Sequence, residues 1–229
     1  MEQRIISVII PTYNEEKNIC GLLDCLTGIP GLEVIVSDGG SNDKTRLLCS
    51  QYPVKVIEAP LGRGSQLNAG AQGSSGEIFF FLHADSRVKP GVFDDIRETV
   101  NSGQKWGCCT IQFDESSLFF AFLTMASRLR SRLFSSCYGD QGIYCERDLF
   151  FAAGGYPPIA IMEDIGLSRR LRYYSPAHVV SGKVITSSRR FKNSGPLRTL
   201  IKIQVIKLLY AIGVSPERLS RIYRPKDGR

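Results

Sequence analysis

The chain has too few cysteines, at the wrong spacings, to build either a disulfide framework or a zinc ribbon. There are seven, an odd number, and Cys20, Cys25, Cys49, Cys108, Cys109, Cys137 and Cys145 include no C-x-x-C pair. A reducing compartment fits that pattern, with most of the thiols buried as small hydrophobes. A Walker loop is missing, which excludes the P-loop nucleotide fold. The glycine-rich stretch Gly62 to Gly70 fails as a dinucleotide fingerprint, because Leu67 stands where the third glycine belongs and the loop follows the third expected strand. No hydrophobic run is long enough and free enough of charge to span a bilayer. Internal repeats and low-complexity tracts are lacking, as is any recognised nucleic-acid motif with interleaved basic and aromatic residues, so no nucleic-acid partner is expected. Met1 to Arg4 lead directly into a strand pattern, leaving no room for a signal peptide, and the expected location is the cytoplasm.

What is present describes an ordinary globular protein of 229 residues, 43% hydrophobic and 22% charged. Its net charge of +7 is unevenly placed. Residues 1–100 hold 9 basic and 13 acidic side chains, whereas residues 101–229 hold 20 and 9. The basic half should face something anionic: a nucleotide diphosphate, a membrane surface or a nucleic acid. Between residues 169 and 229 the excess is greatest, 15 basic to 2 acidic.

Apolar runs alternate with helical patterns from the start. Strands are expected at Ile5 to Ile10, Leu32 to Val36, Val54 to Ile57 and Ile78 to Leu82, and helices at Glu15 to Leu26, Asp43 to Gln51, Ser65 to Ala71 and Gly91 to Asn101. That order predicts an α/β fold with a doubly wound, mainly parallel sheet and helices on both faces. From Gly107 the pattern loosens. Strands at Cys108 to Phe113 and Gln141 to Cys145 and a helix at Leu118 to Leu133 are expected, with Leu118 to Leu123 in the core. Residues 1–100 read as a nucleotide-binding half and 101–195 as an acceptor half of one domain. A basic amphipathic tail, 196–229, follows, with one helix from Pro196 to Gly213 and another starting at Ser215-Pro216.

Three strands stop at acidic turns: Pro11-Thr12-Tyr13-Asn14-Glu15-Glu16, Ser37-Asp38-Gly39-Gly40-Ser41-Asn42-Asp43 and His83-Ala84-Asp85-Ser86. Glu15, Asp38, Asp43 and Asp85 should therefore gather at the carboxyl edge of the sheet, where open α/β folds bind ligands. Asp38 can accept a hydrogen bond from a uracil or guanine ring N–H, and Glu15 and Asp43 can hold a ribose or order the loop. The same residues also suit a turn that caps the next helix.

In order along the chain, P-T-Y-N-E, D-G-G-S-N-D, G-R-G-x-x-x-N-A-G, H-A-D and the segment Met162-Glu163-Asp164-Ile165-Gly166-Leu167-Ser168-Arg169-Arg170-Leu171 resemble glycosyltransferase family 2 on the GT-A fold, over about residues 4–190. The likeness is to a short subgroup and not to the long processive synthases, whose Q-x-x-R-W motif is missing. It implies an inverting enzyme that moves a sugar from a UDP- or GDP-linked donor to an acceptor hydroxyl, on a lipid or a small molecule. Pro11, Tyr13, Glu15 and Asp38 would form the nucleoside pocket, with Asp43 beside it, and Arg63 would face the donor. Asp164 would be the general base, with Glu163 orienting it or binding donor.

Where most relatives carry Asp-x-Asp, this chain has His83-Ala84-Asp85. Asp85 is the expected ligand of Mg²⁺ or Mn²⁺, since these ions take few protein ligands at phosphate sites. His83 could ligate Mn²⁺ or line the donor pocket. The tail could bring the protein to the inner face of an anionic membrane. Arg169, Arg170 and Arg172 could contact diphosphate or a lipid-phosphate acceptor, or simply complement the helix dipole. Two other readings stand beside this one: a nucleotidyltransferase, and a non-catalytic binding module on a degenerate version of the fold.

Overall fold

A computed structural model describes residues 3–223, except the side chains of Arg190 and Asn193. The tail beyond Tyr223 lies outside the described residues. The first half follows the expected alternation: β1 (Ile6–Thr12), α1 (Ile19–Leu26), β2 (Leu32–Asp38), α2 (Thr45–Cys49), β3 (Lys55–Glu58), α3 (Arg63–Gln72), β4 (Ile78–Phe81), β5 (Arg87–Val88) and α4 (Gly91–Asn101). The second half comprises β6 (Trp106–Phe113), α5 (Leu118–Phe134), a single 3₁₀ turn (Gly139–Gln141), β7 (Ile143–Glu146), α6 (Arg147–Ala152), α7 (Glu163–Leu171), β8 (His178–Thr186), α8 (Arg189–Ser194), α9 (Pro196–Ala211) and α10 (Pro216–Tyr223).

All eight strands join one sheet in the order β3-β2-β1-β4-β7-β6-β8-β5. Strands β1 to β4 pair in parallel, as do β6 and β8; β7 runs antiparallel to both its neighbours, and β5 is antiparallel to β8. The α/β, mainly parallel architecture is the one the alternation predicts.

Period-two patterning explains the two cores. Ile6, Val8 and Ile10 of β1 face a cluster with Ile19, Leu22 and Leu26 of α1 and Phe93 and Ile96 of α4. Ile9 points the other way, to Leu67 and Ala71 of α3, Phe150 of α6 and Leu167 of α7. On that second face Phe79, Phe81, Phe150 and Tyr156 pack edge-on or tilted, with centroids 5.0–5.4 Å apart in the Phe79–Phe150, Phe81–Phe150 and Phe81–Tyr156 pairs. Each such pair adds about 0.5–1.5 kcal/mol beyond simple burial. Five of the seven cysteines are buried, the other two are half-buried, and all are free thiols.

Two expectations are corrected. Helix α1 starts at Ile19 and not at Glu15, because Asn14 takes a left-handed conformation (φ 55°) and the Glu15 and Glu16 amides donate to Thr45 Oγ1 and Asp43 Oδ2. The stretch Leu118 to Leu123 is not core: Phe120 is buried, but Leu118 is 92% and Phe122 56% exposed.

Candidate active site

The carboxyl ends of β1 and β2 place Thr12 directly beside Asp38 in register. Asp38 is fully buried, and its carboxylate accepts hydrogen bonds from Thr12 Oγ1 (3.0 Å), the Gly40 and Ser41 amides (3.1 and 2.9 Å) and Ser41 Oγ (2.6 Å). A nucleobase reaches that carboxylate only by displacing one of these donors. The neighbouring turns are stitched together in the same way. The Asn14 amide donates to Ser41 Oγ and Asn14 Oδ1 accepts from the Asn42 amide, while Glu16 Oε2 accepts from the Lys44 amide. Asp43 takes the Thr45 amide and the Glu16 amide. Burial pushes the Asp43 carboxyl up, but the Thr45 and Glu16 donors outweigh it and hold the carboxyl below its ordinary value. Glu15 accepts from Asn18 Nδ2 at 2.7 Å. Pro11 and Tyr13, both half-buried, frame the start of this double turn.

Helix α3 lies against the same edge. Gly70 allows the approach: a Cβ there would collide with Ile9 Cγ2. Gln66, which the sequence reading did not single out, is buried and donates through Nε2 to the carbonyls of Thr12 (2.7 Å) and Ser37 (3.0 Å), locking the ends of β1 and β2. Asn68 clamps the backbone of Tyr156 in both directions, at 2.9 and 2.8 Å, and so fixes the loop that leads into α7.

At the start of α7 the two acids diverge in role. Glu163 is buried and ion-paired to Arg63 at 3.0 Å, while Arg63 itself stays half exposed. Burial raises the Glu163 carboxyl, Arg63 pulls it back, Asp164 raises it again, and the net is upward. Asp164 is half-buried; its Oδ1 accepts from the Ile165 amide (2.7 Å) and its Oδ2 from the Gly139 amide (2.9 Å). Gly139, another residue not foreseen, presents a bare face to this acid and to His83. A Cβ on Gly139 would lie 2.6 Å from His83 Nε2 and 3.8 Å from Asp164 Oδ2. The expected His83, Glu163, Asp164 and Arg63 therefore come together across three separate chain segments.

Asp85 follows His83 by two residues, just past the end of β4. It lines a cavity of about 200 Å³ with Asn18, Arg87, Asp114 and Arg189. Among the described residues no three His, Cys, Asp or Glu side chains gather as a metal cage. Two carboxylates, Asp85 and Asp114, beside two arginines in an open cavity fit an ion whose shell is completed by phosphates and water, and do not fit an all-protein site.

A second cavity, about 300 Å³, opens between α5, α7 and α9, lined by Arg130, Tyr138, Ile165, Arg169, Arg172, Lys207 and others. The two cavities share no residue. The arginine cluster splits: Arg170 is committed to the carbonyls of Gly154 and Gly155 at 2.7 and 2.9 Å, whereas Arg169 and Arg172 face this cavity.

A family model described as "Glycosyl transferase family 2" matches residues 7–145, more than half of the chain and including both acidic turns, α3 and Asp85. The chain belongs to glycosyl transferase family 2. The family match stops before Glu163 and Asp164, so their placement rests on the geometry above. Over 107 residues this family 2 chain is 36% identical to the dolichol-phosphate mannosyltransferase of Pyrococcus furiosus; the match covers 43% of the chain but only 30% of that protein. Its fold is similar to that of a Pyrobaculum calidifontis mannosyltransferase solved with GDP-Man and Mn²⁺ (TM-score 0.66, 16% identity, 97% of this chain and 68% of the other). It also resembles S. aureus TarS 1–349 solved with UDP-GlcNAc (TM-score 0.63, 18% identity, 80% and 58%). These likenesses carry the GT-A type fold expected of the family.

Proposed function

We propose that the chain transfers a sugar from a nucleoside-diphosphate donor to an acceptor hydroxyl with inversion at the anomeric carbon. The observation that carries this reading is the convergence of His83, Gly139 and Asp164 at the sheet edge, beside a cavity large enough for part of an acceptor. Relatives in complex with UDP-GlcNAc and GDP-Man support a UDP- or GDP-linked donor.

In the proposed step the acceptor oxygen bonds to the anomeric carbon, the bond from that carbon to the diphosphate oxygen breaks, and its electron pair leaves with the diphosphate. The hydroxyl proton passes to Asp164, whose two backbone donors keep the carboxylate aimed while spare lone pairs remain. Glu163 serves by anchoring Arg63, which is half exposed and would face the donor. Asp38, Asp43 and Glu15 shape the nucleoside pocket by bracing its loops, with Pro11 and Tyr13 as its wall. Asp85 would hold Mg²⁺ or Mn²⁺, which when bound neutralises charge on the leaving diphosphate. His83 contributes to the sugar pocket next to Gly139.

The acceptor side also suits a membrane. Helices α5 and α9 carry basic but no acidic residues and expose apolar stripes: Phe122, Met125, Leu129 and Leu133 on one, Leu197, Ile201, Val205 and Leu208 on the other. Among the described residues no helix is long and apolar enough to cross a membrane, so the contact would be interfacial.

A panel of UDP- and GDP-sugars tested by thermal shift, with and without Mn²⁺, checks the donor assignment. A bound donor at a hundred times its Kd stabilises the fold by about 2.7 kcal/mol. Nucleoside diphosphate released from the same donor is the expected product. A panel in which no nucleotide sugar shifts the melting curve counts against the reading.

A further inference from the structure

The cavity between α5, α7 and α9 gathers four cations, Arg130, Arg169, Arg172 and Lys207, and none of its lining residues is acidic. One of the four is structural. Arg130 donates to the Ser136 carbonyl (2.9 Å) and to Gln141 Oε1, and stacks on Tyr138 with 3.4 Å to the ring centre. Lys207 crosses from α9 to the same ring at 4.3 Å, and Arg169 stands 5.0 Å over the ring of Tyr210. Among the described residues Arg169, Arg172 and Lys207 have no carboxylate within 4.0 Å. Like charges gathered around a hollow repel one another, and an anion placed among them removes that cost.

Resting on the transfer reaction above, we propose that this cavity binds a phosphoryl group carried by the acceptor, with Arg169, Arg172 and Lys207 as its anion contacts. The position fits the chemistry. Ile165 lines the cavity and immediately follows Asp164, so a phosphoryl group held here leaves its attached hydroxyl within the neighbourhood of the general base. The volume, about 300 Å³, is some ten times the ~30 Å³ share of a water molecule, enough for the phosphoryl group and the first atoms of its substituent. Lys207 is consistent with a waiting anion site: burial and the Arg130 charge lower its amine to about 8, against the opposite pull of Asp140 and Asp164. At one rim Phe134 leads to the exposed Leu133 and Leu129, so a hydrocarbon chain on the phosphate would also find contact. A polyol phosphate and a lipid phosphate share the group this cavity recognises.

The test uses the full chain and measures binding by calorimetry. Inorganic phosphate, glycerol 3-phosphate and dodecyl phosphate below its micelle concentration are the probes, glycerol is the neutral control, and UDP and GDP are titrated separately. All three phosphates should bind, glycerol should not, and each should bind equally well when the nucleoside diphosphate is already present. Arg169→Gln and Lys207→Gln should each weaken phosphate binding at least tenfold while nucleoside diphosphate affinity stays unchanged and the melting temperature does not fall. Arg172→Gln provides a third variant should either of these melt early. Dodecyl phosphate binding ten times more tightly than glycerol 3-phosphate identifies a lipid source; equal affinities identify a soluble one. The proposal is overturned if no phosphate binds the wild type, if the variants bind as well as the wild type, or if phosphate competes with nucleoside diphosphate and the variants lose both. Failure of the transfer reading shows separately, as nucleotide sugars that neither bind nor react.

Discussion

Gly139 is the residue on which the proposed chemistry is most sharply poised. Its missing side chain keeps open the space between His83 Nε2 and Asp164, and its amide fixes the acid. Its backbone is not in the left-handed region, so alanine is conformationally acceptable there and the added methyl acts by intrusion alone. Gly139→Ala should lower turnover roughly a hundredfold, the scale of a misplacement of about 1 Å, while the melting temperature stays within a few degrees. Unchanged turnover would mean that the space beside His83 is not where the sugar reacts. Lys207 gives a second residue-scale expectation. Its amine is lowered from 10.5 to about 8 in the fold, first by burial and then by Arg130, with Tyr138, Asp140 and Asp164 the other ionisable groups near it. Between those two values the unfolded chain binds more protons than the folded one, so stability rises with pH across that window. Chemical denaturation at pH 8 and pH 10 should show this gain in the wild type and a smaller one in Lys207→Met. Equal gains in both would place Lys207 in water. His83, Asp164, Glu163 and Arg63 were legible from their motifs, whereas Gly139, Gln66 and Lys207 were not. Nothing local marks those three, because each acts on a partner far away in the chain.

At the scale of elements, Gly64 and Gly70 of the Gly62 to Gly70 stretch serve packing, against the Pro157 carbonyl and Ile9, whereas Gly62 supplies a positive φ. Gly70→Ala drives a methyl into Ile9 on β1, and with both sides fixed in the core it should cost about 1–3 kcal/mol, read as a lower denaturation midpoint. A neutral substitution would show that α3 can lift from the sheet. Strands β1, β2 and β4 and helix α4 were legible because their apolar spacing is regular. Strands β5 and β8 were not. The first has two residues, and the second is interrupted at Ser181-Gly182, where a register shift opposite Cys108 to Thr110 breaks the alternation. Helix α5 misled the reading because its aromatic and leucine residues face outward. That outward face supports the membrane proposal, as does α9, which buries Thr199 and Ile206 while exposing the opposite stripe. Each nearby Lys or Arg contributes about 1 kcal/mol at an anionic bilayer. The wild type should sediment with phosphatidylserine-containing vesicles at low salt, and Ile201→Glu with Leu208→Glu should abolish this without changing stability. A wild type that stays in the supernatant would leave both stripes without a bilayer partner.

Across the whole molecule, residues 12–45 gather acids at the carboxyl ends of β1 and β2, and a cavity between α5, α7 and α9 gathers basic side chains. The charge asymmetry of the sequence thus has a structural counterpart. What composition could not supply was the division of the basic residues, since Arg170 braces a loop while its neighbour Arg169 and, from α9, Lys207 border a cavity. The central claim is that the acid at the start of α7 takes a proton during sugar transfer and does not merely bind donor. Asp164→Asn preserves shape, and its amide nitrogen faces one of the two backbone donors, so the melting temperature of the variant is measured alongside. The decisive measurement is the single-turnover rate of nucleoside diphosphate release, with donor Kd determined on the same sample for wild type and Asp164→Asn. A proton-accepting Asp164 requires a rate lower by roughly two to four orders of magnitude in the variant, with donor affinity nearly unchanged. A variant that transfers at the wild-type rate, or that loses donor affinity in proportion to rate, would contradict it.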